Sequence, residues 1–552
     1  MIREVSAIIN GRKEVFSSDT SYLDLAKIYS KDYKYPIIAV KEDNLFTSFN
    51  NRIKEGANIK FYDYSDREAN KIYLNGLVFL TIYSIVKLVG PKARINVEHS
   101  LDKGLYLTVN FDLNEKLVND IKDKMKEVVS LNLPIKKNYV KRVDAIEYFR
   151  KQKLTSKIPL LKYNTNTYIT LYSLGNMYDF YFSNMPPTTG VFKAFDITKI
   201  GDRGLILNFP FYSDPEVIPK YQHRPGMFRL FNEQKALGKA INIYDIEDLN
   251  KLVIDGKVGD LIRLEETLHS DKLLNVCSSI CQNKDRIKVI LLAGPSSSGK
   301  TTSSIRLSKY FSSFGLKMVK LSMDDYFVDR KDTPLDEFGN KDYDSVYSLK
   351  IDLFNEQVEK ILNGEEVVTP IYNFKTGTSE MAHKIKLHKD DILIIEGIHA
   401  LNPIFLPNIP RENKAKIYVS PATDLNIDNH NRISTTDNRL LRRMVRDART
   451  RNYKAEDTIS FWEVVRRGEE KYVFPYQDEA DYNINTAFLY ELGVLKVYAL
   501  PLLYSVPMSS PCYEDAKRLI NLLKIFLPIS SEDVPKDSLL REFIGGSCYD
   551  VS

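Results

Sequence analysis

Cysteine is scarce in this chain, with 4 in 552 residues. Cys277, Cys281, Cys512 and Cys548 are too few and too scattered to staple a protein of this length, which excludes a disulfide scaffold and fits a reducing compartment. Cys277 and Cys281 lie one helical turn apart in an apolar stretch with no His or further Cys nearby, so packing is expected there rather than a metal site. Excess charge is missing too. A formal net charge of +5 gives no general argument for a nucleic-acid partner, although local basic clusters leave RNA open. Long apolar runs are also absent: the first ten residues hold no signal-peptide core, and the most apolar segment, 74–89, is interrupted by polar residues. No signal peptide and no membrane span are expected, and the predicted location is cytoplasmic. No internal repeat or low-complexity run is present, and nothing in the sequence fixes an oligomeric state. The composition, 43% hydrophobic and 27% charged, suits soluble globular domains, about three or four of them by length.

What the chain does have is a glycine-bounded turn. Residues 287–293 form an apolar run that enters Gly294-Pro295-Ser296-Ser297-Ser298-Gly299-Lys300-Thr301-Thr302, and helical periodicity follows over 303–314. The spacing G-x-x-x-x-G-K-[ST] between a strand and a helix predicts a triphosphate cradle. Its backbone N–H groups hold the phosphates, Lys300 reaches the outer ones, and the Thr301 hydroxyl holds Mg²⁺. The donor is then ATP or GTP.

The cradle alone does not separate kinases from GTPases or motors. A GTPase would carry an Asn-Lys-x-Asp base reader after it, and none is present. Downstream, the strand 318–322 runs into Met323-Asp324-Asp325-Tyr326-Phe327, which puts carboxylates at the ligand-binding edge of a parallel sheet. Phosphoryl transfer to an alcohol needs a group that takes the hydroxyl proton, and Asp324 is the candidate, with a helix N-cap as its plain alternative. The strand 392–395 delivers Glu396, which fits a Mg²⁺ ligand beside Thr301 and Asp324, or else a buried structural carboxylate. Residues 439–451 form an amphipathic helix with Arg439, Arg442, Arg446 and Arg449 on one face. That face reads as a solvated surface, a nucleic-acid patch, or a lid that closes on the transferring phosphoryl group.

Further strands are expected at 415–419 and 495–500, and with 287–293, 318–322 and 392–395 they make an α/β domain whose parallel sheet is wrapped by helices. Ahead of it, Asn10-Gly11 centres a hairpin over 4–16, followed by a helix over 24–29 and a strand over 35–40. An apolar helix is expected over 75–88 and alternating strands over 93–111.

These motifs carry resemblances. Gly294 to Thr302, Ser322 to Phe327, Tyr343-Asp344, Pro370 to Phe374 and Glu396-Gly397-Ile398 resemble the uridine kinase and phosphoribulokinase group. That resemblance implies that Asp344 grips the ribose hydroxyls, that Tyr372 lies against the base, and that Arg443, Arg446 and Arg451 act on substrate or as lid arginines. Taken alone, Tyr372 reads equally as a core aromatic. The catalytic set is Asp324, Lys300 and Arg446, and the implied reaction moves the γ-phosphoryl of ATP or GTP to the 5′-hydroxyl of uridine or cytidine. Gly377 and Tyr453 stand where uridine kinases carry a His and a further Arg, which keeps another small alcohol or a sugar phosphate open as acceptor.

Residues 1–62 resemble the TGS domain, a β-grasp module, and residues 63–230 resemble the α+β editing domain of threonyl-tRNA synthetase. Asn75 and Phe79 stand where that domain has its first metal-binding histidines, and His99 is expected to be structural. Residues 231–284 read as a helical connector, 285–528 as the kinase-like domain and 529–552 as a tail. The three-part arrangement, with stretches at 461–470 and 474–481, resembles a family of long uridine kinase-like proteins. The synthetase-like front half keeps a nucleotide-switched, RNA- or ribosome-associated regulator as an alternative.

Overall fold

Residues 3–163, 166–337, 339–423 and 425–551 are described by a computed structural model. Its C-terminal half is organised by five parallel strands: β1 (Val289–Ala293), β2 (Lys317–Ser322), β3 (Asp391–Glu396), β4 (Lys414–Ser420) and β5 (Tyr482–Asn485), in the spatial order β2-β3-β1-β4-β5. Strand β1 is central and buried at every residue, as an unbroken Val-Ile-Leu-Leu-Ala run in a sheet covered on both faces should be. Helix α1 (Lys300–Ser313) leaves the glycine turn and returns over the sheet, packing Leu307 and Phe311 with Ile290 and Leu292. Helices α2 (Thr435–Thr450), α3 (Ala455–Tyr472) and α4 (Glu491–Tyr504) follow β4 and β5, and α5 (Arg541–Ile544) lies near the C-terminus.

Two expectations need correction. The segment 495–500 is not a strand but the middle of α4; a six-residue apolar run has no periodicity of its own, and half of α4 is buried. The fifth strand is Tyr482–Asn485, whose Tyr-Asn-Ile-Asn sequence is too short and too polar to stand out. The supposed tail also folds back. Leu539, Leu540 and Phe543 are completely buried, in the same apolar cluster as the helices after β4 and β5.

The front half contains the expected hairpin, helix and strand. Glu4–Ile9 pairs with Arg12–Ser17 around Asn10 and Gly11, both at positive φ as a tight hairpin turn requires, and Tyr22–Tyr29 and Ile37–Glu42 follow. Next comes the helix Arg67–Val89, started by Asp66, whose side chain accepts from the Glu68 and Ala69 N–H groups. It is long and apolar enough to cross a membrane, yet 67% of its most apolar window is buried inside the protein. Two antiparallel sheets surround it, of three and four strands.

The connector is three helices, Pro225–Ala240, Ile246–Ile254 and Val258–Cys281. Cys277 is buried against Leu273, Val276 and Ile280, the packing role expected of it. The front half is also bolted to the C-terminal half. Lys157 is fully buried, 2.7 Å from Asp179 and 2.8 Å from Asp428, and His430 Nδ1 stands 2.6 Å from the second Asp179 oxygen. Arg67 and Lys71 of the long helix meet Asp515 at 2.9 and 3.2 Å.

Candidate active site

The cradle owes its shape to two glycines. A Cβ on Gly294 would stand 2.3 Å from the Val419 carbonyl oxygen of β4, and Gly299 has φ +82°, so no side chain is tolerated at the first and a left-handed turn is required at the second. Ser297 also adopts positive φ, and the turn ends at the N-terminus of α1, where backbone N–H groups and the helix dipole favour an anion. Lys300 folds back, donating to the Gly294 and Pro295 carbonyls at 3.0 and 3.2 Å. Burial pushes its ammonium below the ordinary lysine range, against the opposing pull of Glu396 and Asp324. An ammonium this poorly solvated gains strongly from a phosphate partner.

Carboxylates collect at the C-terminal edge of the sheet, where β2 and β3 end side by side with Ser322 opposite Glu396. Glu396 accepts from the Thr301 hydroxyl at 3.0 Å and from the Ser304 hydroxyl at 3.1 Å, and Lys320 stands 2.8 Å from it. Burial raises the Glu396 carboxyl, but Lys320, Lys300 and the Thr301 hydrogen bond outweigh it, so it stays ionised below the ordinary range. Asp324 opens onto the cleft with protein packed closely around it. That crowding, together with Glu396 and Asp325, pushes its carboxyl up, while Lys300 and Arg451 pull the other way. The structure thus brings Lys300, Thr301, Asp324 and Glu396 together. A hydroxyl and two carboxylates are hard oxygen donors suited to Mg²⁺, which takes one or two carboxylates plus substrate phosphates, so the residues present fit that ion.

Asp344 lies within electrostatic reach of Asp324, Arg443 and Glu469. Burial first, then the Glu469 carboxylate, pushes it up to about 7, with Arg443 opposing. Helix α3 approaches it closely at Gly468, where a Cβ would lie 2.4 Å from the Asp344 Cβ. Tyr372 lies on the hairpin strand Val367–Asn373, nearly buried, with its N–H donating to Asp325 at 3.4 Å and its ring 5.5 Å from Phe327 and 5.0 Å from Phe374. Gly377 has φ +74°, and the Arg330 side chain covers it, donating to the Phe374 carbonyl. Tyr453 is half exposed just beyond α2.

The arginine helix differs from its expected form. Arg439 and Arg442 are not on a solvated face: both are buried, paired with Glu469 and Glu491, and they donate to the Ser296 and Ser297 carbonyls from behind the cradle. The helix turns them inward because the cradle and α3 pack on that side. Arg443, Arg446 and Arg451 instead gather around the buried Asp447 at 3.2, 2.8 and 3.6 Å, and Arg443 also donates to the Ser296 hydroxyl at 2.9 Å. Glu469, Glu542 and Arg330 escaped sequence reasoning. Glu469 lies in the charged stretch 461–470, which carries a resemblance but assigns that carboxylate no role, and Glu542 lies far along the chain with no motif around it.

Comparison with known proteins matches the phosphoribulokinase / uridine kinase family model to residues 289–488. A uridine kinase of Staphylococcus aureus is 30% identical over 195 residues, 35% of this chain and 84% of that protein. This chain belongs to the phosphoribulokinase and uridine kinase family. A second member, the uridine kinase of Anoxybacillus flavithermus, is 29% identical over 194 residues, 35% of this chain and 83% of its own length. A solved D-glycerate 3-kinase from Cryptococcus neoformans aligns at 12% identity and TM-score 0.23, covering 48% of this chain and 89% of that one. The kinase-family match begins at β1 and ends just past β5, so the front half and the connector lie outside it.

In the front half, Asn75 and Phe79 both serve the packing of the long helix. Asn75 donates to the Ser183 hydroxyl, and Phe79 is buried 5.4 Å from the Tyr181 ring. His99 is buried and stacked on Phe231 at 3.6 Å, and burial pushes its imidazole down to about 3. Among the described residues no group of three or more His, Cys, Asp or Glu side chains is arranged to hold a metal ion.

Proposed function

We propose that this kinase transfers the γ-phosphoryl of ATP, or of GTP, to the 5′-hydroxyl of uridine or cytidine. The observation that supports this reading is that Lys300, Asp324 and Glu396 lie together where β2 and β3 end, with Asp344 near enough to Asp324 to feel its charge. Mg²⁺ held by Thr301, Asp324 and Glu396 would neutralise charge on the outer phosphates. Lys300 leaves its carbonyl partners for the triphosphate. Asp324, with its raised proton affinity, accepts the proton of the attacking hydroxyl. Asp344 accepts two hydrogen bonds from the ribose diol, and Tyr372 with Phe374 offers aromatic surface to the base. Arg443, Arg446 and Arg451 close over the transferring group.

One observation favours a second acceptor class. Arg330 places a guanidinium over Gly377, beside the aromatic cluster, and a guanidinium there suits an anionic alcohol such as a sugar phosphate. A panel of nucleosides and sugar phosphates assayed with ATP and Mg²⁺ decides between them. Turnover led by uridine or cytidine is expected; turnover only with sugar phosphates would replace the acceptor, and none with any would remove the reading in favour of a nucleotide-switched regulator. Residues 1–62 are proposed to be the TGS-like module and 63–230 the editing-like domain. The hairpin-helix-strand order of the first and the long helix of the second support that division.

A further inference from the structure

The donor cradle is already engaged by the chain's own carboxylates. The Ser296 N–H at its leading edge donates to Glu469 at 2.8 Å. At its trailing edge Thr302 donates twice to one Glu542 oxygen, from its N–H at 3.2 Å and from its hydroxyl at 2.7 Å. The rest of the C-terminal segment is fitted to the same place. Leu539 lies against Gly299, with methyl carbons 2.5 and 2.7 Å from where a Cβ would stand, and the Phe543 ring sits 4.9 Å from the Arg442 guanidinium. Arg449 clamps the segment through the Glu542 and Phe543 carbonyls at 2.9 and 3.3 Å, and Arg541 ties its base to the Ser531 and Val534 carbonyls.

Resting on the reading of 294–302 as a donor site, we propose that residues 538–545 are a built-in occupant of the cradle and that a nucleotide binds by displacing them. Glu542 takes the bonds that a donor phosphate oxygen would take, because the backbone N–H groups of such a turn are what cradle the α- and β-phosphates. One N–H cannot serve both acceptors, and a phosphate brought beside a buried carboxylate meets like charge in a poorly screened site. Leu539 and Phe543 make the occupancy specific, since they bury apolar surface that is open to water once the segment leaves. The device couples nucleotide binding to release of the C-terminus, so whatever binds the released segment raises the affinity for nucleotide.

The test uses the full-length wild type, Glu542→Gln and Glu542→Ala, each checked for folding by thermal unfolding and titrated with ATP and Mg²⁺ without any acceptor. Both variants are expected to bind about tenfold or more tightly than wild type, because the occluded state that competes with nucleotide is weakened. In the wild type, amide hydrogen exchange over 538–545 should speed up on saturation with ATP. Equal affinities in all three proteins, weaker binding in the variants, or unchanged protection at saturation would overturn the occupant. Absence of binding in all three folded proteins would instead overturn the donor site itself.

Discussion

Arg442 Nη2 stands 2.6 Å from Glu491 Oε2 and its Nε 2.7 Å from Glu491 Oε1, with 0% and 1% of the two side chains exposed. The same guanidinium donates to the Thr486 carbonyl at 2.6 Å. One side chain of α2 thereby joins the cradle, the end of β5 and α4. The first half of α2 is a fixed wall of the donor site. Under the proposed mechanism, closing on substrate would fall to Arg446 in its second half and Arg451 at its C-cap.

Arg442→Ala removes the cation that pairs with the buried Glu491 carboxylate, and breaking such a buried pair costs about 3–5 kcal/mol. Arg451→Ala removes a half-exposed group and should leave stability within about 1 kcal/mol while lowering turnover. Denaturant midpoints and steady-state rates on both variants check this separation. Equal losses of stability would show that the whole helix is structural.

The cradle, the two acids at the strand ends and the arginine helix were legible because each is a local pattern: glycine spacing, an apolar run ending in a carboxylate, or a 3.6-residue period. What was illegible depends on pairing across the chain. The period of α2 grouped Arg439 with Arg446, but it could not say that Glu469 and Glu491, contributed by later helices, would neutralise Arg439 and Arg442 and draw them inward. The same holds for Glu542, which lies 240 residues from Thr302. Strand β5 was missed for a different reason, since β4 supplies the pairing that its own polar sequence does not announce.

Asp324→Asn should retain ATP binding nearly intact while lowering turnover by about two orders of magnitude or more. The amide keeps the shape but cannot take the hydroxyl proton. Binding is read by titration and chemistry by single-turnover rates. A variant with wild-type single-turnover rates would remove Asp324 from the proton-accepting role.

Asp344 gives the acceptor side a pH dependence. A carboxyl pushed to about 7 is protonated below that value and then accepts fewer bonds from a diol. Nucleoside affinity should therefore rise with pH up to about 7 and level off above it, and Asp344→Asn should bind weakly without that rise. Nucleoside dissociation constants between pH 5.5 and 8.5 read this directly. An identical pH profile in the variant would assign the titration to another group.

Glu265 makes a corresponding prediction for stability. It is buried in the helix Val258–Cys281 and accepts from the Leu489 N–H through both oxygens at 3.0 Å, yet burial, reinforced by Glu266 and Glu491, pushes it up to about 8. A carboxyl whose folded value lies above its unfolded value of 4.5 stabilises the fold fully below the lower figure, and that contribution is lost as pH rises through the higher one. The loss has an upper bound of ~5 kcal/mol. Glu265→Gln keeps an acceptor for Leu489 and carries no proton to lose, so its stability relative to wild type should grow between pH 6 and pH 9. Asp344 titrates in the same direction in both proteins, so the difference between them isolates Glu265. A constant difference across that range would mean that Glu265 is ionised throughout, balanced by the N–H groups that face it.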